Sequence, residues 1–290
     1  MLMLMPPGFN QFSFAMSKAQ IILPIRLTPT HLAVVLQYFE AANQLGAKDW
    51  QLALAAFDML GNATLVSEGK PKTFRQYYES TVERRYAETF LTALLDADVP
   101  ATIGPALQQQ IATEMLAQLE QDGLYHEDIA DSEYLAAYCM YWWTSFARGY
   151  RFEIAILREL ETAGIAFAAH NLLVRAERLA PYDLVVNRWL GDIKHTTYFL
   201  FAARSFPLRC DFYLTQLYDT NQRRYQPIVL LTEAAWHDLN GPVIAASLAT
   251  AAVLFPEPVQ IVFENQTFIV VTFERWKEHV RRRQQPEIAL

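Results

Sequence analysis

The chain has 290 residues, of which 52% are hydrophobic and 13% aromatic, and its formal charge is −7. This composition supplies enough apolar side chains for one large core or two ordinary ones and argues against wholesale disorder. The acidic balance argues against a nucleic-acid coat protein, and ten glycines are few for a glycine-rich nucleotide-binding fold. An enzyme that acts on nucleic acid is still compatible with this charge, because phosphate contacts need only local positive charge.

The first half of the chain has the pattern of helices. After an N-terminal segment without periodicity, Thr28 and Pro29 resemble an N-cap and a first helical position, and apolar residues then recur at helical spacing. The predicted helices begin at Thr28 and continue over 47–60, 73–95, 103–121 and 132–163, the last being one helix or two joined near Arg148. We therefore expect an irregular segment over residues 1–27 and an all-helical domain over residues 28–148.

The last predicted helix carries a dense stripe of aromatic residues. The stripe consists of Tyr138, Tyr141, Trp142, Trp143, Phe146 and Tyr150. Aromatic residues at helical spacing most often form a core or an interface between helices. A surface that binds bases or a protein partner is the less frequent alternative.

From residue 149 onward the pattern changes to short apolar runs. The runs at 165–169, 184–186, 190–194, 228–231, 259–264 and 267–273 predict strands, and 196–206 and 242–254 predict helices. The sequence Glu264-Asn265-Gln266 predicts a hairpin turn between the last two strands. We expect an α/β domain over residues 149–290.

Two acids and a lysine frame the second and third predicted strands. Asp183 precedes one apolar run, and Asp192 lies two residues before Lys194 on the next. If these strands are antiparallel neighbours, the three side chains converge at one edge of a sheet, with Asp192 and Lys194 on the same face. Two carboxylates and an ammonium group suit divalent-metal phosphodiesterase chemistry. The alternative is a set of hairpin surface charges, in which an exposed ion pair contributes little.

The order of elements over residues 152–194 resembles the PD-(D/E)xK (restriction-endonuclease-like) nuclease superfamily, and its layout is similar to that of the small Holliday-junction-resolvase-like members. Pro181-Tyr182-Asp183 and Asp192-Ile193-Lys194 carry the resemblance, together with Glu153 at the start of a helix that runs to Gly164. The resemblance implies a mixed-sheet α/β core and a metal-dependent endonuclease that hydrolyses nucleic-acid phosphodiester bonds. It favours DNA over RNA as the substrate, in repair, in defence or in the processing of mobile elements.

The resemblance also implies a set of site residues. Asp183, Asp192 and Glu153 would bind Mg²⁺ or Mn²⁺, and the carbonyl of Ile193 would supply a further ligand. Lys194 would position the attacking water or stabilise charge on the phosphate oxygens.

Three features depart from the family pattern or vary within it. Tyr182 separates the proline from the aspartate, and only Asn187-Arg188-Trp189 is left to turn the hairpin. Family members often carry a glutamine or lysine on the helix after the lysine-bearing strand. Here that predicted helix offers His195, Arg204 and, further along, Gln216.

Other enzyme classes have less support. The six histidines show no HxH, HxxxH or paired His/Cys spacing, so a zinc site is not expected. The sequence contains no GxSxG, GxGxxG or Walker-type loop, which argues against serine hydrolases, dinucleotide oxidoreductases and P-loop ATPases. The competing function is a non-catalytic interaction protein that binds a partner through the helical domain. The acidic charge favours this alternative, whereas the complete Glu/Asp/Asp/Lys set favours the enzyme.

Cysteine usage and the termini bear on location. Cys139 and Cys210 are the only cysteines, which fits a reducing cytoplasm. The apolar N-terminus lacks the charged start of a signal peptide, and no run reaches the roughly 20 apolar residues that span a bilayer. We expect a cytoplasmic protein without membrane contact, whose partners are nucleic acid and either a second copy of the chain or a protein bound by the helical domain.

Overall fold

A computed structural model describes residues 10–13, 20–23, 27–66, 71–97, 100–127, 132–202, 208–237, 242–255, 258–263 and 266–285. The chain divides into two compact units, Met1–Ala147 and Arg148–Leu290. This division lies beside the boundary expected between residues 148 and 149. Within the described ranges, no helix combines the length and apolar character that a membrane span requires.

The first unit is helical with a small sheet. Its helices are Pro29–Ala41 (α1), Ala47–Gly61 (α2), Phe74–Tyr77 (α3), Arg84–Asp96 (α4), Pro100–Gln121 (α5) and the first half of Glu133–Thr162 (α6), with a 3₁₀ turn at Ala42–Gln44 and a π-helical segment at Tyr78–Glu83 that joins α3 to α4. Thr28 caps α1 as predicted, because its hydroxyl accepts a hydrogen bond from the His31 backbone N–H at 3.3 Å.

The prediction of an all-helical first domain after an irregular segment was wrong. Four strands, Asn10–Ser13 (β1), Gln20–Leu23 (β2), Thr64–Val66 (β3) and Lys72–Thr73 (β4), form an antiparallel sheet in the order β1-β2-β3-β4. Strands of two to four residues are too short to show an alternating pattern in the sequence. Strand β2 pairs with β3, which lies about forty residues later in the chain, and local periodicity does not detect such a pairing.

Part of the aromatic stripe of α6 lies in the core of the first unit, as the more frequent interpretation predicted, whereas Trp142 is 36% exposed and Tyr150 belongs to the second unit. Tyr138 and Trp143 are fully buried, and the indole N–H of Trp143 donates to the Gln108 carbonyl at 3.0 Å. Tyr141 stacks on Phe57 with 4.4 Å between the ring centroids. These aromatic contacts hold α6 against α2 and α5.

The second unit contains an eight-stranded mixed sheet. Its strands are Phe167–Ala169 (β5), Leu184–Val186 (β6), Trp189–Ile193 (β7), Phe212–Asp219 (β8), Arg224–Thr232 (β9), Ile244–Ala245 (β10), Val259–Phe263 (β11) and Gln266–Thr272 (β12), in the order β10-β11-β12-β9-β8-β7-β6-β5. The pairs β7–β8 and β10–β11 are parallel and the other pairs are antiparallel. The helices of this unit are the second half of α6, Arg175–Arg178 (α7), Tyr198–Ala202 (α8), Glu233–His237 (α9), Leu248–Leu254 (α10) and Phe273–Gln284 (α11).

Helices cover both faces of this sheet. On one face, Ile193 and Leu214 belong to a buried cluster with Ile156 of α6 and Trp276 of α11. On the other face, Tyr213 packs in a second cluster that includes residues of α8 and α10. A positive φ of 68° at Gly164 ends α6 and turns the chain toward β5. The second half of α6 is therefore packed along the sheet that carries the two aspartates.

The structure corrects three predictions in the second unit. Strand β8 was not predicted, because its side chains are buried on both faces and show no alternation. The segment predicted as a helix over 242–254 begins with β10, and α10 starts only after the N-cap Ser247. The helix predicted over 196–206 is the short α8, and residues 203–207 lie outside the described ranges. Glu264 and Asn265 also lie outside them, although Phe263 and Gln266 pair antiparallel as a hairpin requires.

Candidate functional site

The β6–β7 hairpin brings the two aspartates together. Leu184 pairs with Gly191 in antiparallel register, and the Asp183 backbone N–H donates to the Gly191 carbonyl at 2.9 Å. Asp183, just before β6, therefore lies opposite Asp192 on β7. Lys194 follows at the end of β7, where its backbone N–H donates to the Leu214 carbonyl of β8 at 2.8 Å.

Local sequence explains why the hairpin is so tight. Val186 pairs with Trp189, so Asn187 and Arg188 alone form the turn, one residue fewer than expected. Asn187 adopts a φ of 57°, a left-handed conformation that asparagine tolerates better than most residues. On β7, a Cβ atom at Gly191 would overlap the ring of Phe212, so glycine is the residue that leaves room for this ring over β7.

Hydrogen bonds fix the positions of the two aspartate side chains at the end of the sheet. The Ile193 backbone N–H donates to Oδ2 of Asp183 at 2.6 Å, and Nζ of Lys194 donates to Oδ1 of Asp192. The Asp192 carboxyl is also a hydrogen-bonding neighbour of Asp183 that raises the pKa of the Asp183 carboxyl.

Glu153 approaches this group from α6. Its side chain is only 7% exposed, and it interacts electrostatically with Asp183, Lys194 and Asp192. The structure therefore places the four side chains that the sequence singled out within range of one another's charges. Three of them are carboxylic acids and one is an ammonium group, so full ionisation would leave an excess of buried negative charge.

The pKa values reflect this excess. Burial, and then the charge of Asp183, raise the pKa of Glu153 to about 8, against the lowering effect of Lys194. Burial and the hydrogen bond to Asp192 raise the pKa of Asp183 to about 7. Burial lowers the pKa of Lys194, but the charges of Asp192, Asp183 and Glu153 outweigh burial and raise it. The site holds protons that these acids would release in water, and a bound cation would replace them.

The donor set suits a hard cation, although it does not form a closed cage. No three His, Cys, Asp or Glu side chains among the described residues are grouped as ligands of one ion. Mg²⁺ usually needs only one or two carboxylates, because it keeps several of its waters. The N–H of Ile193 points toward Asp183, and the carbonyl of a strand residue points to the same side as its N–H. The Ile193 carbonyl thus lies on the Asp183 side of β7, where a further oxygen ligand was predicted.

Residues around the acids support their positions. The His170 backbone N–H donates to the Asp183 carbonyl at 3.1 Å, and the His170 ring lies 4.6 Å from that of Tyr182. Cys210 donates from Sγ to the Pro181 carbonyl at 3.3 Å. The role of Cys210 was not predicted, because it depends on β8, which the sequence pattern did not reveal.

The polar residues predicted to follow Lys194 on one helix are separated. Gln216 lies in β8 and not on a helix, so that prediction was wrong. Its amide Nε2 nevertheless lies 3.2 Å from Nε2 of His195, and the His195 ring packs edge-on against Phe152 of α6. Arg204 is outside the described residues.

Comparison of the chain with protein-family models, with curated proteins and with solved structures finds no match in any of the three. Function is therefore inferred from the site itself.

Proposed function

We propose that the second unit is a metal-dependent endonuclease of the PD-(D/E)xK type that hydrolyses phosphodiester bonds of nucleic acid, DNA in preference to RNA. The observation that carries the proposal is that Asp183, Asp192 and Lys194 meet where β6 begins and β7 ends, within range of the charge of Glu153. Such a set combines ligands for Mg²⁺ or Mn²⁺ with a cation that can contact a phosphate.

The order of elements supports the same proposal. The chain runs through α6, β5, β6, β7, α8 and β8, with the single turn α7 inserted, and β8 returns parallel to β7. This is the succession of helix, three strands, helix and strand that a restriction-endonuclease-like core would have. The two free, buried cysteines also suit the reducing cytoplasm proposed as its location.

Each site residue has a distinct role in this proposal. Asp183, Asp192, Glu153 and the Ile193 carbonyl would hold the cation, which when bound polarises the phosphate and lowers the pKa of an attacking water. Lys194, released from Asp192 as the cation takes up that carboxylate, would contact a non-bridging phosphate oxygen. There it stabilises the negative charge that develops during hydrolysis.

The test is cleavage of single-stranded, duplex and branched DNA and RNA in the presence of Mg²⁺ or Mn²⁺. Wild-type protein should cut at least one of these substrates, Asp192→Asn should abolish cutting, and Lys194→Gln should slow it by about 100-fold or more. Glu278→Gln is the matched control, because Glu278 is an exposed acid of α11 whose side chain is 64% accessible. Cutting that survives in both site variants would refute the assignment.

One observation favours a second function, a non-catalytic protein that keeps this sheet and binds a partner. Lys194 is paired with Asp192, so the acid is already neutralised without a metal ion. This function predicts that the folded wild-type protein cuts none of the substrates with either metal. It also predicts that Asp192→Asn leaves partner binding unchanged.

A further inference from the structure

The hairpin of β8 and β9 extends beyond the end of β7 at which the candidate site lies. Strand β8 is parallel to β7 and pairs Leu214 with Ile193, the last residue of β7. From this pair β8 continues to Asp219, where the chain turns back into β9. At about 3.3 Å per residue, Tyr218 lies about 13 Å past the end of β7 along the strand. The hairpin tip, residues 218–225, therefore projects from the same end of the sheet as the candidate site.

A side-chain contact links this part of β8 to the candidate site. His195 directly follows Lys194, and its Nε2 atom lies 3.2 Å from the amide Nε2 of Gln216 in β8. Tyr218 is two residues further along β8, so it lies on the same face of the sheet as Gln216. Leu214 also lies on this face and packs in the buried cluster to which α6 contributes. Tyr218 thus belongs to the face covered by α6, the helix that supplies the glutamate of the candidate site.

The hairpin tip presents aromatic rings and positive charge to solvent. Tyr218 and Tyr225 pair across the two strands with their ring centroids 5.2 Å apart, and they are 42% and 64% exposed. Arg223 and Arg224 are exposed beside them, and no carboxylate of the described residues forms an ion pair with either one. Exposed rings next to arginines provide a stacking surface and phosphate contacts in one place.

Hydrogen bonds hold the tip in one conformation. The side chain of Asp219 is buried, and its Oδ1 accepts hydrogen bonds from the backbone N–H groups of Asn221 at 2.8 Å and Gln222 at 3.0 Å. The backbone N–H of Thr220 donates to the Ala252 carbonyl of α10 at 3.1 Å, which ties the turn to the rest of the unit. A surface that is already ordered loses less conformational entropy when it binds a ligand.

We propose that the hairpin tip binds a single-stranded segment of the nucleic-acid substrate beside the cut. Unpaired bases stack on the two tyrosines, and the two arginines bind phosphates of the same segment. Stacking accepts any base, because every base has a π-face, whereas the bases of a duplex are already stacked on one another. This inference rests on the proposed nuclease function, since it names the substrate class as DNA with unpaired bases next to the scissile phosphate.

The test compares binding of single-stranded and duplex DNA under conditions that prevent cleavage. A fluorescent 20-mer, alone or annealed to its complement, is titrated with the full chain in EDTA at several salt concentrations. Tyr218→Leu/Tyr225→Leu should weaken binding of the single strand about tenfold or more and leave duplex binding unchanged, because leucine is apolar but has no ring for stacking. Tyr218→Phe/Tyr225→Phe is the matched control, since it keeps both rings and should bind the single strand as wild type does.

A second variant tests the charges without altering the tyrosine pair. Arg223→Gln/Arg224→Gln changes two exposed side chains and should weaken binding of both DNA forms. It should also reduce the slope of log K against log salt by about 0.7 for each arginine on the single strand. Arg282→Gln is the control, because it removes one exposed arginine of α11 that is paired with Glu278, and its slope should not change.

The outcomes separate the hairpin site from the nuclease function. Leucine variants that bind the single strand as tightly as wild type, or that lose duplex binding equally, would overturn the hairpin site. Wild type that does not bind the single strand at low salt would overturn it as well. In Mg²⁺, the leucine variant should raise KM for the single strand far more than it lowers kcat. Wild type that binds through these tyrosines but never cuts would refute the nuclease function and leave the hairpin site supported.

Discussion

Replacement of Glu153 by glutamine tests the electrostatics of the site most directly. The folded-state pKa values of Glu153, about 8, and Asp183, about 7, lie above their ordinary values of 4.5 and 3.8. At pH values between the ordinary and the folded-state pKa of each acid, the folded protein holds a proton that the unfolded chain has released. These acids therefore add to stability below about pH 4, and this contribution is lost progressively as the pH rises from there through 7 and 8.

The magnitude follows from the number of protons held. Each proton that the folded state retains and the unfolded state lacks costs about 1.4 kcal/mol of stability per pH unit. Glu153→Gln removes one such proton and keeps the shape of the neutral acid. Between about pH 5 and pH 7, the variant should therefore gain about 2.7 kcal/mol of unfolding free energy relative to wild type.

The assay is urea unfolding at each pH in EDTA, read by a hydrogen–deuterium pulse on peptides of β7 and β8. Peptides from one unit are needed because the two units can unfold in separate transitions. Glu278→Gln serves as the control, since it removes an exposed acid that is remote in sequence. A Glu153→Gln effect that is equal at both pH values, or destabilising at pH 7, would refute the reasoning.

Three further predictions concern this sheet and the two cysteines. Lys194→Gln should lower the cleavage rate by about 100-fold or more, measured at a temperature at which the variant is folded, because the lost group stabilises transition-state charge; a folded variant that cuts as fast as wild type would contradict this role. Gly191→Ala should lower the free energy of unfolding in urea by about 1–3 kcal/mol, because its Cβ would overlap Phe212. Phe212→Leu in the same chain should recover part of this loss. A double-mutant cycle in which the two changes are additive would contradict the contact. Both cysteines should resist a thiol reagent at pH 8 until urea is added. Burial, and then nearby acids, raise the pKa of Cys210 to about 11, and burial raises the pKa of Cys139 well above its usual value. Rapid reaction of the native protein would show that the reagent reaches these thiols without unfolding.

Strong local patterns determined much of this protein from sequence alone. Thr28 and Pro29 set the start of α1 through side-chain capping and a fixed φ angle. The two short apolar runs on either side of a tight turn were enough to predict that Asp183, Asp192 and Lys194 lie at one edge of the sheet, although the turn proved one residue shorter than expected and the register differs accordingly. Glu153 was identified as well, but only through the family resemblance.

Tertiary structure decided the rest. Strand β8 is buried on both faces and so has no alternating pattern, yet it pairs with β7 and carries Gln216 to His195. The pKa values of Glu153 and Asp183 depend on burial and on charges distant in the chain, which no local pattern contains. The sequence thus determines the local structure of a short segment and the side chains that it carries, because capping, turns and alternation depend only on neighbouring residues. Only the packed sheet decides which groups from separate segments meet, and their burial and mutual charges then set their pKa values.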